Sequence, residues 1–516
     1  MKLFLAEKLK LLNGSSGKSN PCKLATFAYL SALFFGLPLV FHNGYFDITE
    51  TKYAFFVCLS VLYVLCVCIC RLVFHRYNNR ALPMESKSLP IDWLIGLFAL
   101  LCTASVLCSE NVWNALWGVH NRWQGLLTML LYLSIVELIS RFPSFSIVCS
   151  DLLSGSFLLV NIIAVVNALG WDPFGMLQNL APADSSRYIS TLGNINFFGS
   201  YLGVLFPVVL CQFCFAKEPP RKIFLAVCCC AGMFGICLSS DGVGLALAAS
   251  IILLPLLLAN FSFALKRLAG FLPVLVLCLF IGGQLFSGGS SRFFPPHFIR
   301  FFCSLPCAFA ICCLSAVCFI VSKTKVVFRS KLFQRNYGIF WIFVTLLAIV
   351  FILLANTAWQ QQSFGGLDRF IKWNAGWGTD RGKIWRYCMQ LFGRYHWWQQ
   401  MIGGGPGCLY ALDAKQPLFA DAILDSAHNE YLQMLLVYGI AGCIVYVSVL
   451  LATIIAGIRE GKKNPSAIGW TAGFVCYCVQ AVVNIAQPVS TPYLFVLMGL
   501  IWGVSRSSAR SKSPVL

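Results

Sequence analysis

Charge is what this 516-residue chain has least of: 11% of its residues are charged, and only 19 are acidic. A water-soluble domain carries about 25% charged residues, so a soluble globular fold is excluded. The chain also lacks the alternating apolar and polar strands of a membrane β-barrel, because its apolar runs are continuous. Each run must therefore satisfy its backbone internally, as a helix. No carboxylate cluster has metal-ligand spacing. The run Gly403-Gly404-Gly405-Pro406-Gly407 lacks the following Lys-Ser/Thr of a phosphate loop, which argues against a nucleotide site there. Histidine is scarce as well, six in all, and neither an appended soluble domain nor an internal repeat is evident.

What is abundant is apolar sequence: 59% of residues are hydrophobic and mean hydropathy is +0.77. Runs of about 20 residues, enough to cross about 30 Å of hydrocarbon, recur along the whole length. About fourteen are expected, twelve to fourteen being plausible. They lie near 24–41, 52–73, 91–109, 124–142, 149–170, 194–215, 222–238, 242–259, 269–286, 301–321, 338–356, 430–457, 467–487 and 489–504. The fold class is thus all-α, a polytopic transmembrane helix bundle forming one membrane domain over 1–516. Within it, 24–356 holds the first eleven spans, 357–428 a long polar loop, 429–504 the last three spans and 505–516 a tail.

The formal charge of +19 follows from topology rather than from nucleic-acid binding. Basic residues cluster in alternate loops, at Lys2 to Lys23, Arg71 to Lys87, Lys217 to Lys222, Lys266-Arg267, Lys323 to Arg335, Arg459 to Lys463 and Arg506 to Lys512. Placing those loops in the cytoplasm satisfies the positive-inside bias. Both termini are then cytoplasmic, the first span reads as a retained signal anchor, and 357–428 is extracytoplasmic. Most of the 25 cysteines sit inside spans, where they act as small packing residues. Cys388 and Cys408 lie in the long loop, where either a disulfide or two free thiols fits.

That loop carries its own pattern. Thr379-Asp380 offers an N-cap to an amphipathic run with Ile384, Tyr387, Cys388, Leu391 and Tyr395 at helical spacing, which predicts an interfacial helix over about 380–400. Six tryptophans (Trp359, Trp373, Trp377, Trp385, Trp397 and Trp398) serve as interfacial anchors or as faces on which sugars stack, the anchor reading being the simpler. A site on the outer face has no ATP, so the energy must come with the substrate. A polyprenyl-pyrophosphate-linked sugar meets that condition. Its transfer needs cations for the departing pyrophosphate, which arginine supplies, and a base near neutrality, which histidine supplies. The outer surface offers Lys52, Arg122, Arg187 and Arg381 among its few cations, and His428 at the loop-to-helix junction.

Three stretches in order, Thr379-Asp380-Arg381-Gly382-Lys383-Ile384-Trp385, Gly403 to Gly407, and His428-Asn429-Glu430-Tyr431-Leu432 followed by Gly439 and Gly442, resemble the O-antigen ligase and polymerase superfamily. Upstream, Gly193-Asn194-Ile195-Asn196 is similar to that family's Gly-Asn-x-Asn element, and Asn121-Arg122-Trp123-Gln124-Gly125 to one of its outer-loop elements. The resemblance implies an inverting, metal-independent and cofactor-free glycosyltransferase of the cell membrane, working in cell-envelope polysaccharide biosynthesis. Its donor would be a glycan on undecaprenyl pyrophosphate, and its acceptor a glycan, lipid or protein hydroxyl. Carried over by position, Arg381 binds the donor pyrophosphate and His428 activates or orients the acceptor, with Asn429, Trp385, Asn194 and Asn196 as candidate substrate contacts. The chain departs from the pattern at Ser239-Ser240-Asp241-Gly242, where many ligases place an arginine. Arg122 and Arg187 are the candidates for the missing second cation. A non-catalytic transporter or flippase of polysaccharide precursors is the alternative, disfavoured by the scarcity of charge inside the spans.

Overall fold

The computed structural model describes residues 20–78, 88–178, 180–181, 184–288, 291–323, 330–420 and 423–510. The basic stretches 2–19, 79–87, 324–329 and 511–512, and the second half of the tail at 505–516, fall outside the described residues. The rest is helix joined by loops. In chain order the helices are α1 (Pro21–Leu39), α2 (Ile48–Asn78), α3 (Pro90–Val106), α4 (Val112–Trp117), α5 (Leu126–Arg141), α6 (Ile147–Ala168), α7 (Ile195–Phe215), α8 (Pro219–Cys237), α9 (Val243–Leu258) and α10 (Ser262–Ser287). They continue with α11 (His297–Phe302), α12 (Leu305–Lys323), α13 (Ser330–Asn356), α14 (Asp368–Ile371), α15 (Trp377–Gly393), α16 (Trp397–Ile402), α17 (Cys408–Lys415), α18 (Glu430–Gly461), α19 (Pro465–Gln480) and α20 (Thr491–Arg510). Two short strands, Tyr188–Ile189 and Gly193–Asn194, form an antiparallel hairpin before α7.

Each of the fourteen apolar runs coincides with a helix. Among the described residues nine helices are long and apolar enough to cross a membrane, and shorter apolar helices at Pro90–Val106, Val243–Leu258 and Pro306–Ile320 accompany them. The protein is a multi-pass, all-α membrane bundle. Local sequence explains where helices begin: Asn20 and Asn464 cap α1 and α19 with proline at the first turn, and the Ser146 hydroxyl accepts from the Val148 and Cys149 amides at the start of α6.

The centre of the bundle is α7, which packs most extensively on α19, and 89% of whose most apolar window is buried. Small residues permit that approach: a Cβ at Gly473 would stand 2.5 Å from the Val204 carbonyl oxygen. Without a hydrophobic drive between helices inside lipid, such close backbone contact is what holds neighbours together. Helix α20 lies against α5, α18 against α3, and α1 against α2 and α6. Helices α5 and α19 each run from one end of the bundle to the other, so they define its two ends.

Three expectations change here. The span predicted over 430–457 is broken at Gly439 (φ 67°, ψ −172°). The break is filled by the glycine run: the Gly404 and Gly405 amides donate to the Leu436 and Val437 carbonyls at 2.9 and 3.0 Å. A Cβ on Gly439 would come within 2.4 Å of the Met401 backbone, so this meeting of a turn with a broken helix requires glycine. The single helix expected over 380–400 is instead two, α15 and α16. Thr379 and Asp380 do not cap it with their side chains, because both sit in left-handed conformation (φ 61° and 65°) inside a kinked first turn. Lys52, counted among the outer cations, is fully buried and donates to the carbonyls of Leu37, Pro38 and Val40 at the end of α1. Cys388 and Cys408 are both buried free thiols.

Candidate active site around His428

Three segments converge at the end of the bundle where α18 begins, and each is backbone-strained. Among the described residues the non-glycine positions with positive φ are Asn121, Trp123, Ser190, Thr379, Asp380 and His428. All but Ser190 are at or beside Arg122, Arg381 and His428. Such conformations cost about 1–3 kcal/mol each, and they persist where surrounding structure over-determines them.

His428 (φ 49°) is held by its neighbours' caps. Asn429 accepts from the Leu432 amide at 3.0 Å as the N-cap of α18, the Ser426 hydroxyl accepts from the His428 amide at 3.3 Å, and Gln433 accepts from the Ala427 amide at 2.9 Å. Asn429 thus spends its side-chain oxygen on the helix. Arg122, on the turn between α4 and α5, forks onto Asp425 with both contacts at 3.0 Å, across 303 residues of sequence. Trp123 beside it stacks on Tyr53 at 5.2 Å, which fixes the turn.

Arg381 donates to the Gly378 carbonyl at 2.5 Å, and its Nε is buried without a partner among the described residues. A guanidinium N–H removed from water with no acceptor costs about 1–3 kcal/mol or more, and an anion would relieve that cost. The approach of the preceding loop depends on Gly382, whose Cβ would fall 2.0 Å from the Asn374 carbonyl oxygen.

These groups share one electrostatic environment. Burial pushes the His428 imidazole down to about 4, and the Arg381 and Arg122 charges push in the same direction against a smaller opposing effect of Asp425. At neutral pH the imidazole is therefore uncharged and its free ring nitrogen accepts a proton or a hydrogen bond. Burial also lowers Arg381 from the usual arginine value. Beside them a cavity of about 60 Å³ is lined by Arg122, Gln124, Pro406, Asp425 and Glu430. The Glu430 carboxylate, 3% exposed, accepts from Tyr446 at 2.5 Å and Tyr477 at 2.8 Å.

Residues 308–447 match the family model described as O-antigen ligase. That match supports membership of the O-antigen ligase superfamily. The O-antigen ligase match includes Arg381, the glycine run and His428, whereas Arg122 lies upstream of it and joins the centre only through the fold. No curated protein matches the chain.

The remaining candidates lie elsewhere or serve the scaffold. Arg187 is 68% exposed and pairs locally with Asp184 at 3.4 Å. Asn194 caps α7 by accepting from the Asn196 amide at 2.9 Å. Among the described residues no hydrogen bond or ion pair joins Arg187, Asn194 or Asn196 to His428, Arg381 or Arg122. Trp385 belongs to a cluster with Trp373 and Trp377, with ring centroids 5.3 and 5.4 Å away. Asp241, where the family pattern has a cation, pairs with His297 at 3.1 Å and accepts from the Phe298 amide at the start of α11. The motifs assign no role to Asp425 or Glu430. Their signal was rarity, since with 19 acidic residues in the chain two flanking His428 stand out.

Proposed function

We propose that the protein is an outer-leaflet glycosyltransferase of the cytoplasmic membrane that moves a glycan from undecaprenyl pyrophosphate to an acceptor hydroxyl, both termini facing the cytoplasm. The observation that carries this reading is one uncharged, half-buried imidazole beside two guanidiniums, one of them with an N–H that has no partner among the described residues. In the reaction the acceptor oxygen attacks the anomeric carbon from the face opposite the leaving group, so configuration inverts. The anomeric carbon–oxygen bond to pyrophosphate breaks, its electron pair leaves with the lipid pyrophosphate, and the acceptor proton passes to His428. Arg381 and Arg122 neutralise the charge on the leaving group as it grows.

The same cations make the base conditional. Without donor, burial first and then these two cations hold His428 near 4, too low for an efficient general base at neutral pH. Donor pyrophosphate places anionic charge beside them, offsets their field and raises the imidazole towards the working range. Basicity is then greatest when the donor is in place.

The test follows lipid-linked glycan in cells carrying His428→Ala or Arg381→Ala. Donor is expected to accumulate on the outer leaflet while polymer is lost at unchanged protein level, and purified wild-type protein is expected to keep its activity in a divalent-metal chelator. Full transfer by both variants removes the catalytic assignment. Donor stranded on the inner leaflet would indicate a flippase instead.

A further inference from the structure

A second cavity, larger than the one beside Arg122, lies at the other end of the bundle. It measures about 240 Å³ and is formed where α5 turns into α6, α7 ends, and α8 and α19 begin. Helix α5 starts beside Arg122 and finishes near this cavity, and α19 opens on it and leads back towards the His428 end, so the two cavities are separated by the length of the bundle.

Its lining is divided by chemistry. One part is apolar and aromatic, with Phe145 and Trp470 edge to face at 5.1 Å and Phe215 and Val208 nearby. The other part is a set of donors centred on Arg221. Arg221 gives Nε to Asp151 and one terminal nitrogen to the Ser150 hydroxyl, both at 2.8 Å. Among the described residues Nη1 meets no acceptor. Gln212 accepts from Ser154 at 2.9 Å, and its amide nitrogen is buried without a partner among the described residues. The starts of three helices, α6, α8 and α19, add partial positive charge at the same place. On the exposed segment around Arg221, Lys217 and Lys222 outnumber Glu218, so the three cations outnumber the two carboxylates, Asp151 and Glu218, by one.

Unspent guanidinium and amide donors, converging helix starts and an apolar wall describe a receptor for a tetrahedral oxyanion attached to something greasy. We propose that this cavity binds a phosphate group, supplied by the headgroup of an anionic lipid in the leaflet at that end of the bundle. The phosphate oxygens take the Nη1 and Gln212 hydrogens, and the aromatic wall covers the glycerol and first methylenes. The site would bind lipid as a structural ligand, independently of chemistry at His428.

The experiment titrates short-chain phosphatidylglycerol into full-length, detergent-solubilised protein and follows its melting temperature, with phosphatidylcholine and inorganic phosphate as parallel arms. Phosphatidylglycerol is expected to raise the melting temperature well before phosphatidylcholine does. The charge-neutral double substitution Arg221→Gln/Asp151→Asn is expected to require about tenfold more lipid for the same rise, the loss of one charge-assisted contact. Ser466→Trp, at an exposed position on the rim, is expected to block the response without removing a charge, which guards against a folding defect in the double variant. Lys462→Gln/Lys463→Gln, on the exposed loop before α19, is expected to leave it unchanged. An equal response to inorganic phosphate supports the phosphate site but assigns it a soluble ligand. No response to either anion, or a response unchanged in both cavity variants, overturns the proposal.

Discussion

The two ends of the bundle use charge in opposite ways. At the end of α5 away from His428, Arg506 is 1% exposed and bonds Asp92, Glu137 and the Ser140 hydroxyl, with Arg141 joining both carboxylates. That network is closed, cations matched to anions and donors to acceptors, on ordinary helical backbone. At the His428 end, among the described residues, Arg381 keeps a buried N–H without an acceptor, Asp425 pairs with Arg122, and the backbone is left-handed at five positions around the three groups. A closed network fastens helices; an open one, held under strain, has the features expected of a binding site.

The comparison breaks most sharply if the two ends respond alike to substitution. His428→Ala is expected to cut glycan transfer by about 10²–10⁴-fold, the usual contribution of a general base, with an unchanged melting temperature. Arg506→Ala is expected to do the reverse, lowering stability by about 3–5 kcal/mol because Asp92 and Glu137 lose their buried partner, while the protein that still folds keeps its specific activity. Equal loss of activity per folded molecule in both variants would erase the distinction between the ends.

A finer probe is pH. The folded His428 lies below its ordinary value, so the unfolded chain binds the proton more readily than the native one. Its contribution to stability is therefore complete above about pH 6.5 and is lost as pH falls towards 4. In donor-free protein, His428→Gln should flatten the acid side of the stability curve. The acid limb of kcat should also sit at higher pH than that of kcat/KM for donor, since kcat reports the donor-bound site. Coincident limbs would contradict donor-dependent basicity. The smallest effect is expected at Arg187, whose exposed pair with Asp184 is worth about 0–1 kcal/mol. Arg187→Ala should leave transfer within about twofold, and a loss comparable to that of Arg122→Ala would return Arg187 to the site.

Much of the fold is legible because the membrane leaves the backbone few choices. Each continuous apolar run became a helix, and proline and Asn or Ser at helix starts marked several boundaries. The interval between Asn356 and Glu430 was also visible, as were Arg381 and His428 within it, because polar residues are costly in such a chain and their clustering is conspicuous. Helix continuity was less visible. The Gly439 break depends on carbonyls that are satisfied by a turn some thirty residues upstream, and no local propensity encodes that meeting.

By itself, then, the sequence determined where the apolar helices lie, the length of the polar excursion and the types of chemical group it carries. Only the tertiary structure decided which groups share a site. Arg122 adds its charge to the field at His428, because the turn after α4 is pinned by the Asp425 pair across 303 residues. The glycine run proved to be a plug for a broken helix. Spacing along a chain fixes how a helix begins and which face is apolar, whereas the field felt by one imidazole is a sum over charges that come together only when distant segments pack.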